Sequence, residues 1–277
     1  FKCRIGCFSA ADPENFEIKR VEKNLWEKIK QKAIEGRRTG IGITAEGDML
    51  ASLGLIYGTE NATDFATEIH KTLALEAYRA SMEMAKLRGP FKIFDPEKER
   101  NNPFLLRIKG ADEQLYNDIM NYGRRNISML TIAPTGSTSL MTQTTSGIEP
   151  LFMPVYKRRR KVNPNDNSVN ITFTDEVGDS WEEYRVFHHR FSTWLIANGH
   201  NPEEVKTWSQ EQVDEIVEKS PYYKATANDV DWLSKVTMQG KIQKWVDHSI
   251  SVTVNLPADA KEELVSQLYV RAWQEGC

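Results

Sequence analysis

Four hydroxyl side chains crowd around one glycine in Pro134-Thr135-Gly136-Ser137-Thr138-Ser139, directly after the apolar run Leu130-Thr131-Ile132-Ala133. The chemistry open to such a loop is anion binding. The apolar run reads as a strand, and the hydroxyl-rich turn after it as the start of a helix. The first N–H groups of a helix lack intrahelical partners and face the positive end of its dipole, so they hold a phosphate without any side-chain cation. Gly136 offers close backbone approach and a freer backbone angle. Thr135, Ser137, Thr138 and Ser139 add hydroxyl donors, and the missing N–H of Pro134 falls before the cradle. Ordinary helix capping is the competing reading, because Ser and Thr are favoured N-caps and glycine punctuates turns. The segment is not a P-loop: no Gly-Lys-Ser/Thr follows and no lysine lies within it.

Other residue patterns point less sharply. Cys3, Cys7 and Cys277 are an odd set placed at the two ends of 277 residues, unlike a secreted disulfide framework, and a reducing cytoplasm fits them better. His70 stands alone, a surface or satisfied core histidine, and no metal-ligand set is expected. Gly40-x-Gly42 lacks the rest of a dinucleotide fingerprint and reads as a tight turn against a crowded core. Lys157-Arg158-Arg159-Arg160-Lys161, beside Tyr156, is a candidate nucleic-acid contact. The net charge of −3 argues against a long basic surface, and a solvated face explains the run. Tyr222-Tyr223 reads as packing or a helix boundary. No apolar run approaches the roughly 18 residues a membrane helix needs, so no membrane partner is expected. The absent starting Met and the abrupt stop at Gly276-Cys277 suggest a fragment.

Several elements must position these residues. Val21, Leu25, Ile29 and Ala33 recur at helical spacing and predict an amphipathic helix over Val21–Ile34. Gly40–Ile43 reads as a short buried strand and Thr44–Leu53 as a helix. The longest helix is expected at Thr63–Leu87, with Phe65, Ile69, Leu73, Ala77 and Met84 on or near one face. A helix at about Asp112–Tyr122 leads to a strand at Ser128–Ala133 and the hydroxyl-rich loop. Beyond an Asn-rich loop at Asn163–Asn170, helices are expected at about Ser180–Asn198 and Gln210–Lys219. A last strand, Ser249–Asn255, feeds a helix over Ala258–Glu275. Strands alternating with helices imply a largely parallel α/β sheet or barrel.

Two linked segments make the reading specific. Ala133-Pro134-Thr135-Gly136-Ser137-Thr138-Ser139, followed by Thr145-Ser146-Gly147-Ile148-Glu149-Pro150, resembles the substrate-phosphate segment of ribonucleotide reductases, where a Pro-x-x-x-Ser/Thr loop precedes an Asn/Ser-Gly-Ile-Glu-Pro turn. Val254-Asn255-Leu256-Pro257 and Tyr269-x-x-Ala272-Trp273-x-x-Gly276-Cys277 are similar to that family's closing strand and helix. Arg37-Arg38-Thr39-Gly40-Ile41-Gly42 and Gly47-Asp48-Met49-Leu50 resemble the segment after its radical-cysteine region. The resemblance covers residues 17–277 and leaves residues 1–16 unassigned. It implies an α/β fold, the second half of a ten-stranded α/β barrel with outer helices, and radical reduction of a ribonucleotide with a dithiol reductant such as thioredoxin. It implies Pro134, Thr135, Gly136, Ser137, Thr138 and Ser139 as substrate-binding residues.

The family's Asn-x-Cys-x-Glu finger pattern is absent, so the resemblance implies that the radical cysteine lies outside this chain and that the chain alone is inactive. Cys3 and Cys7 stand in the wrong context for redox work. Cys277 resembles the cysteine of the family's Gly-Cys-Lys-Gly segment, with a structural role, and Glu149 is expected to bond backbone near the loop. Pro134-Thr135-Gly136-Ser137 resembles the adenosylcobalamin-dependent (class II) form rather than the di-iron form, whose loop reads Pro-Ser-Glu-Thr. The di-iron form and a non-catalytic phosphate-binding module are the alternatives. Whether a diphosphate or a triphosphate is the substrate stays open, as does the oligomeric state.

Overall fold

The computed structural model of the chain describes residues 16–163, 169 and 171–277. Cys3, Cys7 and most of the Asn-rich loop lie outside them. The described elements are, in chain order, α1 (Phe16–Gly36), α2 (Glu46–Ser52), α3 (Glu60–Arg88), α4 (Pro96–Glu99), α5 (Pro103–Ala111), α6 (Glu113–Tyr122) and α7 (Gly136–Thr142). Then follow β1 (Val155–Lys161), β2 (Phe173–Thr174), β3 (Ser180–Phe187), α8 (His189–Ala197), α9 (Pro202–Val205), α10 (Gln210–Glu218), α11 (Trp232–Gln243) and α12 (Glu262–Glu275). No helix among the described residues is long and apolar enough to cross a membrane. The chain divides into two units. One gathers the chain up to Ile41, Ile69–Thr131 and Lys244–Ser249; the other gathers Gly42–Glu68, Ile132–Gln243 and Ile250–Cys277.

In the first unit, local chemistry fixes the helix ends. Asn102 caps α5 ahead of Pro103, whose missing N–H is harmless there. Asp112 caps α6 by accepting the Leu115 N–H at 2.9 Å, and Gly123, at φ 75°, closes it. Leu105, Ile108, Leu115 and Ile119 of these two helices are buried. Tyr78 of α3 stacks on Phe104 and donates to the Asp247 carboxylate at 2.6 Å. That carboxylate also receives the N–H groups of Met129 and Leu130. The expected buried strand at Gly40–Ile43 shrinks to a parallel bridge between Ile41 and Leu130, with Ile41 exposed. Pairing on one side only makes it an edge residue. At Gly40 a Cβ would meet Thr131 Cγ2 at 3.0 Å, so crowding explains this glycine.

Two helices bury faces other than those expected. In α1 the stripe of Val21, Leu25 and Ile29 is exposed, Val21 by 59%. Spacing predicts the helix but not what covers its apolar side. In α3 the buried face is Ala62, Ala66, His70, Ala74, Tyr78 and Met82, while Phe65 and Met84 are exposed. Both stripes have the i, i+4 repeat; the buried one lies on the neighbouring face, where the small side chains of Ala62, Ala66 and Ala74 admit close neighbours. His70 is a core histidine, 1% exposed.

The second unit holds the sheet, ordered β1-β3-β2 and antiparallel throughout. This corrects the expected parallel sheet: among the described residues parallel pairing survives only in isolated bridges such as Ile132–Ile250 and Leu151–Thr226. The helix expected over Ser180–Asn198 is β3 followed by α8. Trp181, Tyr184 and Phe187 imitate helical spacing, but the basic strand β1 supplies acid-matched pairing, with Arg159 on Glu183 at 2.8 Å and Arg160 on Glu182. The final strand is also lost. The Thr253 N–H donates to Glu149 Oε1 at 2.7 Å and its carbonyl accepts from Lys235 Nζ, so side chains occupy the groups a ladder needs. A core of Leu151, Phe187, Phe191, Leu195, Val213, Ile216 and Tyr222 joins β3, α8 and α10. A Ser209/Gln212 capping box starts α10.

Candidate anion-binding site

The hydroxyl-rich loop follows the bridged residue Ile132 and runs directly into α7, which begins at Gly136. Ala133, Pro134, Gly136, Ser137 and Thr138 are exposed. Thr135, the N-cap, adopts the left-handed conformation (φ 53°), and so does Gln143 at the other end of α7 (φ 56°). Gly136 is not among the glycines with positive φ, and a Cβ there would meet nothing within 4 Å. The strained position is therefore Thr135 and not Gly136, which corrects the expectation that the glycine supplies an unusual backbone angle. Space for a ligand's approach remains its role in the anion-binding reading.

Thr135 does not cap its own helix. Its Oγ1 accepts the Gly147 N–H at 2.8 Å and lies 3.0 Å from Thr44 Oγ1. An N-cap side chain ordinarily consumes one of the first-turn N–H groups. With Thr135 turned away, the first-turn donors of Gly136, Ser137 and Thr138 are left without that cap. Ser139 supports the loop from inside rather than offering its hydroxyl outward. It is buried, and its hydroxyl donates to the Gly136 carbonyl at 2.8 Å, which secures the first turn from within.

The turn at Thr145–Pro150 backs this loop. Thr145 accepts at its carbonyl from Ala45 N (3.1 Å), and the Gly147 carbonyl from Glu46 N (3.2 Å). Gly147, at φ 51°, would bring a Cβ within 3.2 Å of the Ala133 carbonyl, so the turn and the loop lie in close contact. Glu149 does accept backbone N–H, from Thr253, and is paired with Lys235, only 3% exposed. Tyr57 donates to the Ile148 carbonyl at 2.6 Å. Burial first, then the charges of Glu46 and Glu149, push its hydroxyl far above the ordinary phenol range, so it stays a donor.

One cluster escaped the sequence reading. Asp48 of α2, 3% exposed, accepts from Thr145 N at 2.8 Å, from the Tyr222 hydroxyl at 3.0 Å and from His188 Nε2 at 2.9 Å. Burial and the neighbouring carboxylate hold the Tyr222 hydroxyl well above its usual range. Asp48, Thr145, His188 and Tyr222 are scattered over 175 residues of sequence, and no spacing rule joins them. The only signals were a buried-helix acid and a Tyr that packing claimed. Tyr222 does pack, against Phe191 and His188.

The basic run is largely neutralised across the sheet. Lys157 and Arg159 face Glu183, Arg160 faces Glu182 and Lys161 faces Asp179. That pattern fits the solvated face. Among the described residues no group of three or more His, Cys, Asp and Glu gathers to hold a metal ion. Cys277 is a free cysteine at an exposed residue; partial desolvation of its thiol and then the Glu275 charge raise its pKa, away from a reactive thiolate.

With this geometry in view, comparison with known proteins is informative. The family described as "Ribonucleotide reductase, barrel domain" matches residues 17–277. A vitamin B12-dependent ribonucleoside-diphosphate reductase of Mycobacterium tuberculosis is 30% identical over 239 residues, covering 86% of this chain and 30% of the relative. One from Thermoplasma acidophilum is 27% identical over 297 residues, covering 99% of this chain and 34% of the relative. The chain thus spans about a third of the length of these curated relatives. The structure of the Actinobacillus ureae class Id ribonucleotide reductase alpha subunit superposes with a TM-score of 0.59 at 18% identity, over 89% of this chain and 38% of that one, which supports an α/β fold. The chain belongs to the ribonucleotide reductase barrel-domain family.

Proposed function

We propose that this chain is the phosphate-holding portion of an enzyme that reduces ribonucleotides to deoxyribonucleotides in the cytoplasm. Its fold would then be the second half of a ten-stranded α/β barrel with outer helices. Pro134, Thr135, Gly136, Ser137, Thr138 and Ser139 form the substrate-phosphate loop in this reading. The observation that carries it is the uncapped first turn of α7: Thr135 directs its hydroxyl to Gly147, and Gly136, Ser137 and Thr138 are exposed. Phosphate at such a terminus is stabilised by N–H groups and by the helix dipole.

The chemistry proposed for the whole enzyme is a thiyl-radical mechanism. A cysteine radical removes the 3′ hydrogen, the 2′ hydroxyl leaves as water, and a cysteine pair, restored by a dithiol such as thioredoxin, supplies the electrons. This chain's residues bind and orient. The relatives' names support adenosylcobalamin as the group that generates the radical. The loop offers hydroxyl and N–H donors suited to an anion rather than to a corrin ring, so no residue of this chain is assigned to that cofactor.

Equilibrium binding of cytidine 5′-diphosphate tests the loop. A Cβ at Gly136 meets nothing, so Gly136→Val is expected to fold normally and to weaken binding about tenfold or more by blocking the phosphate. A hydrogen bond to a charged group is worth about 1.5–3 kcal/mol, so Ser137→Ala or Thr138→Ala should raise Kd roughly ten- to a hundredfold. Unchanged affinity in folded Gly136→Val would leave helix capping as the loop's explanation.

A further inference from the structure

A carboxylate enclosed in a protein is retained only where donors surround it. Asp48 has three: the Thr145 N–H, the Tyr222 hydroxyl and, in the tautomer a carboxylate acceptor requires, the His188 Nε2–H. They come from the turn behind the phosphate loop, the segment after α10 and the residue that precedes α8. The Asp48 N–H donates in return to Thr145 Oγ1 at 3.2 Å, so the two residues clasp each other. From Thr145 the connection runs on. Its carbonyl takes Ala45 N and Thr44 Oγ1, and two residues later Gly147 N donates to both Thr44 Oγ1 (3.2 Å) and Thr135 Oγ1 (2.8 Å). Thr135 is the left-handed residue whose backbone aims the first turn of α7. A non-glycine residue keeps that conformation only where its surroundings over-determine it.

We propose that Asp48, with Tyr222 and His188 as its donors, is the positioning residue of the phosphate loop. It fixes the Thr145–Gly147 turn, which holds Thr135 and thereby aims the N–H groups of Gly136–Thr138. None of the three touches the ligand. The proposal rests on the anion-binding reading of the loop.

The test measures binding of cytidine 5′-diphosphate and of cytidine to the full chain by titration calorimetry, with thermal melts alongside. Asparagine cannot accept all three donors, so Asp48→Asn should weaken diphosphate binding about tenfold and leave cytidine binding unchanged. Thr135→Val, which removes the shorter of the two acceptors of the Gly147 N–H, should do the same. The double variant should be no weaker than either single one, because both act through one linkage. Losses that multiply to about a hundredfold in the double variant, or wild-type affinity in a folded Asp48→Asn, would overturn the proposal. Should Asp48→Asn fail to fold, Tyr222→Phe removes only a hydroxyl from a filled space. It should weaken the diphosphate several-fold with cytidine unaffected, and wild-type binding there overturns the proposal equally. Gly136→Val separates the two readings. If it binds as wild type, or if the wild-type chain binds no diphosphate, the loop assignment and this proposal fall together. If it is weakened while Asp48→Asn is not, only the positioning role is lost.

Discussion

Asp112 shows how a single side chain links a cap to acid stability. Its carboxylate is held below the usual range, first by the Leu115 N–H and then by Arg79, 2.8 Å away. A depressed value means that its stabilisation is complete above the unfolded-state pKa near 3.9 and is lost as pH falls through the lower folded value. Asp112→Ala is expected to cost about 1 kcal/mol at neutral pH, and denaturant titrations should show the difference shrinking below about pH 4. At this scale legibility was uneven. The loop of Pro134–Ser139 was readable because its hydroxyls are contiguous. The placement of strain at Thr135 and the inward turn of Ser139 were not, since both follow from bonds to Gly147 and Gly136 that composition does not reveal. Asp48, His188 and Tyr222 were invisible as a group because only the fold brings them together.

The helices expected at about Asp112–Tyr122, Gln210–Lys219 and Thr44–Leu53 form as α6, α10 and α2, the first two started by the Asp112 cap and the Ser209/Gln212 capping box. Failures came where pairing overrode pattern. Over β3 a helix was expected, yet seven residues of β1 align against it in register, from Val155 on Phe187 to Lys161 on Trp181. Its cross-strand ion pairs are exposed, and each is worth only about 0–1 kcal/mol. Reversing Glu182 and Glu183 to Lys should therefore lower the melting temperature modestly in low salt, and the loss should shrink as salt is added. Packing between α11 and α12 is less forgiving. At Gly240 a Cβ would lie 2.3 Å from Glu275 Cβ and 3.2 Å from the Glu275 carbonyl. Gly240→Ala should force the helices apart and destabilise by about 1–3 kcal/mol, which a thermal melt would register. A melting temperature at or above the wild-type value would mean that the two helices are not held so closely.

For the molecule as a whole, the α/β reading came from alternating elements and the family from two linked motifs, and residues 17–277 match that family. The predominance of helix was legible, but the expected strands were not met as strands: among the described residues they reduce to single bridged residues, and neighbouring groups bond to side chains such as Glu149 and Lys235. In the proposed reading the chain holds phosphate but carries no radical centre. Incubation with a ribonucleotide, adenosylcobalamin and a dithiol is accordingly expected to yield no deoxynucleotide; measurable turnover would redirect attention to Cys3, Cys7 and Cys277. Lys235 carries one more consequence. Its amine is enclosed between the Glu149 carboxylate and the Thr253 carbonyl, whereas Lys109, Lys157 and Lys161 stand in the open. An acylating reagent added to the native chain should mark those surface amines within minutes and leave Lys235 unmodified, and should reach it only after denaturant opens the second unit. The mass of one peptide would then report, without any ligand or assay, whether the region behind the loop is intact.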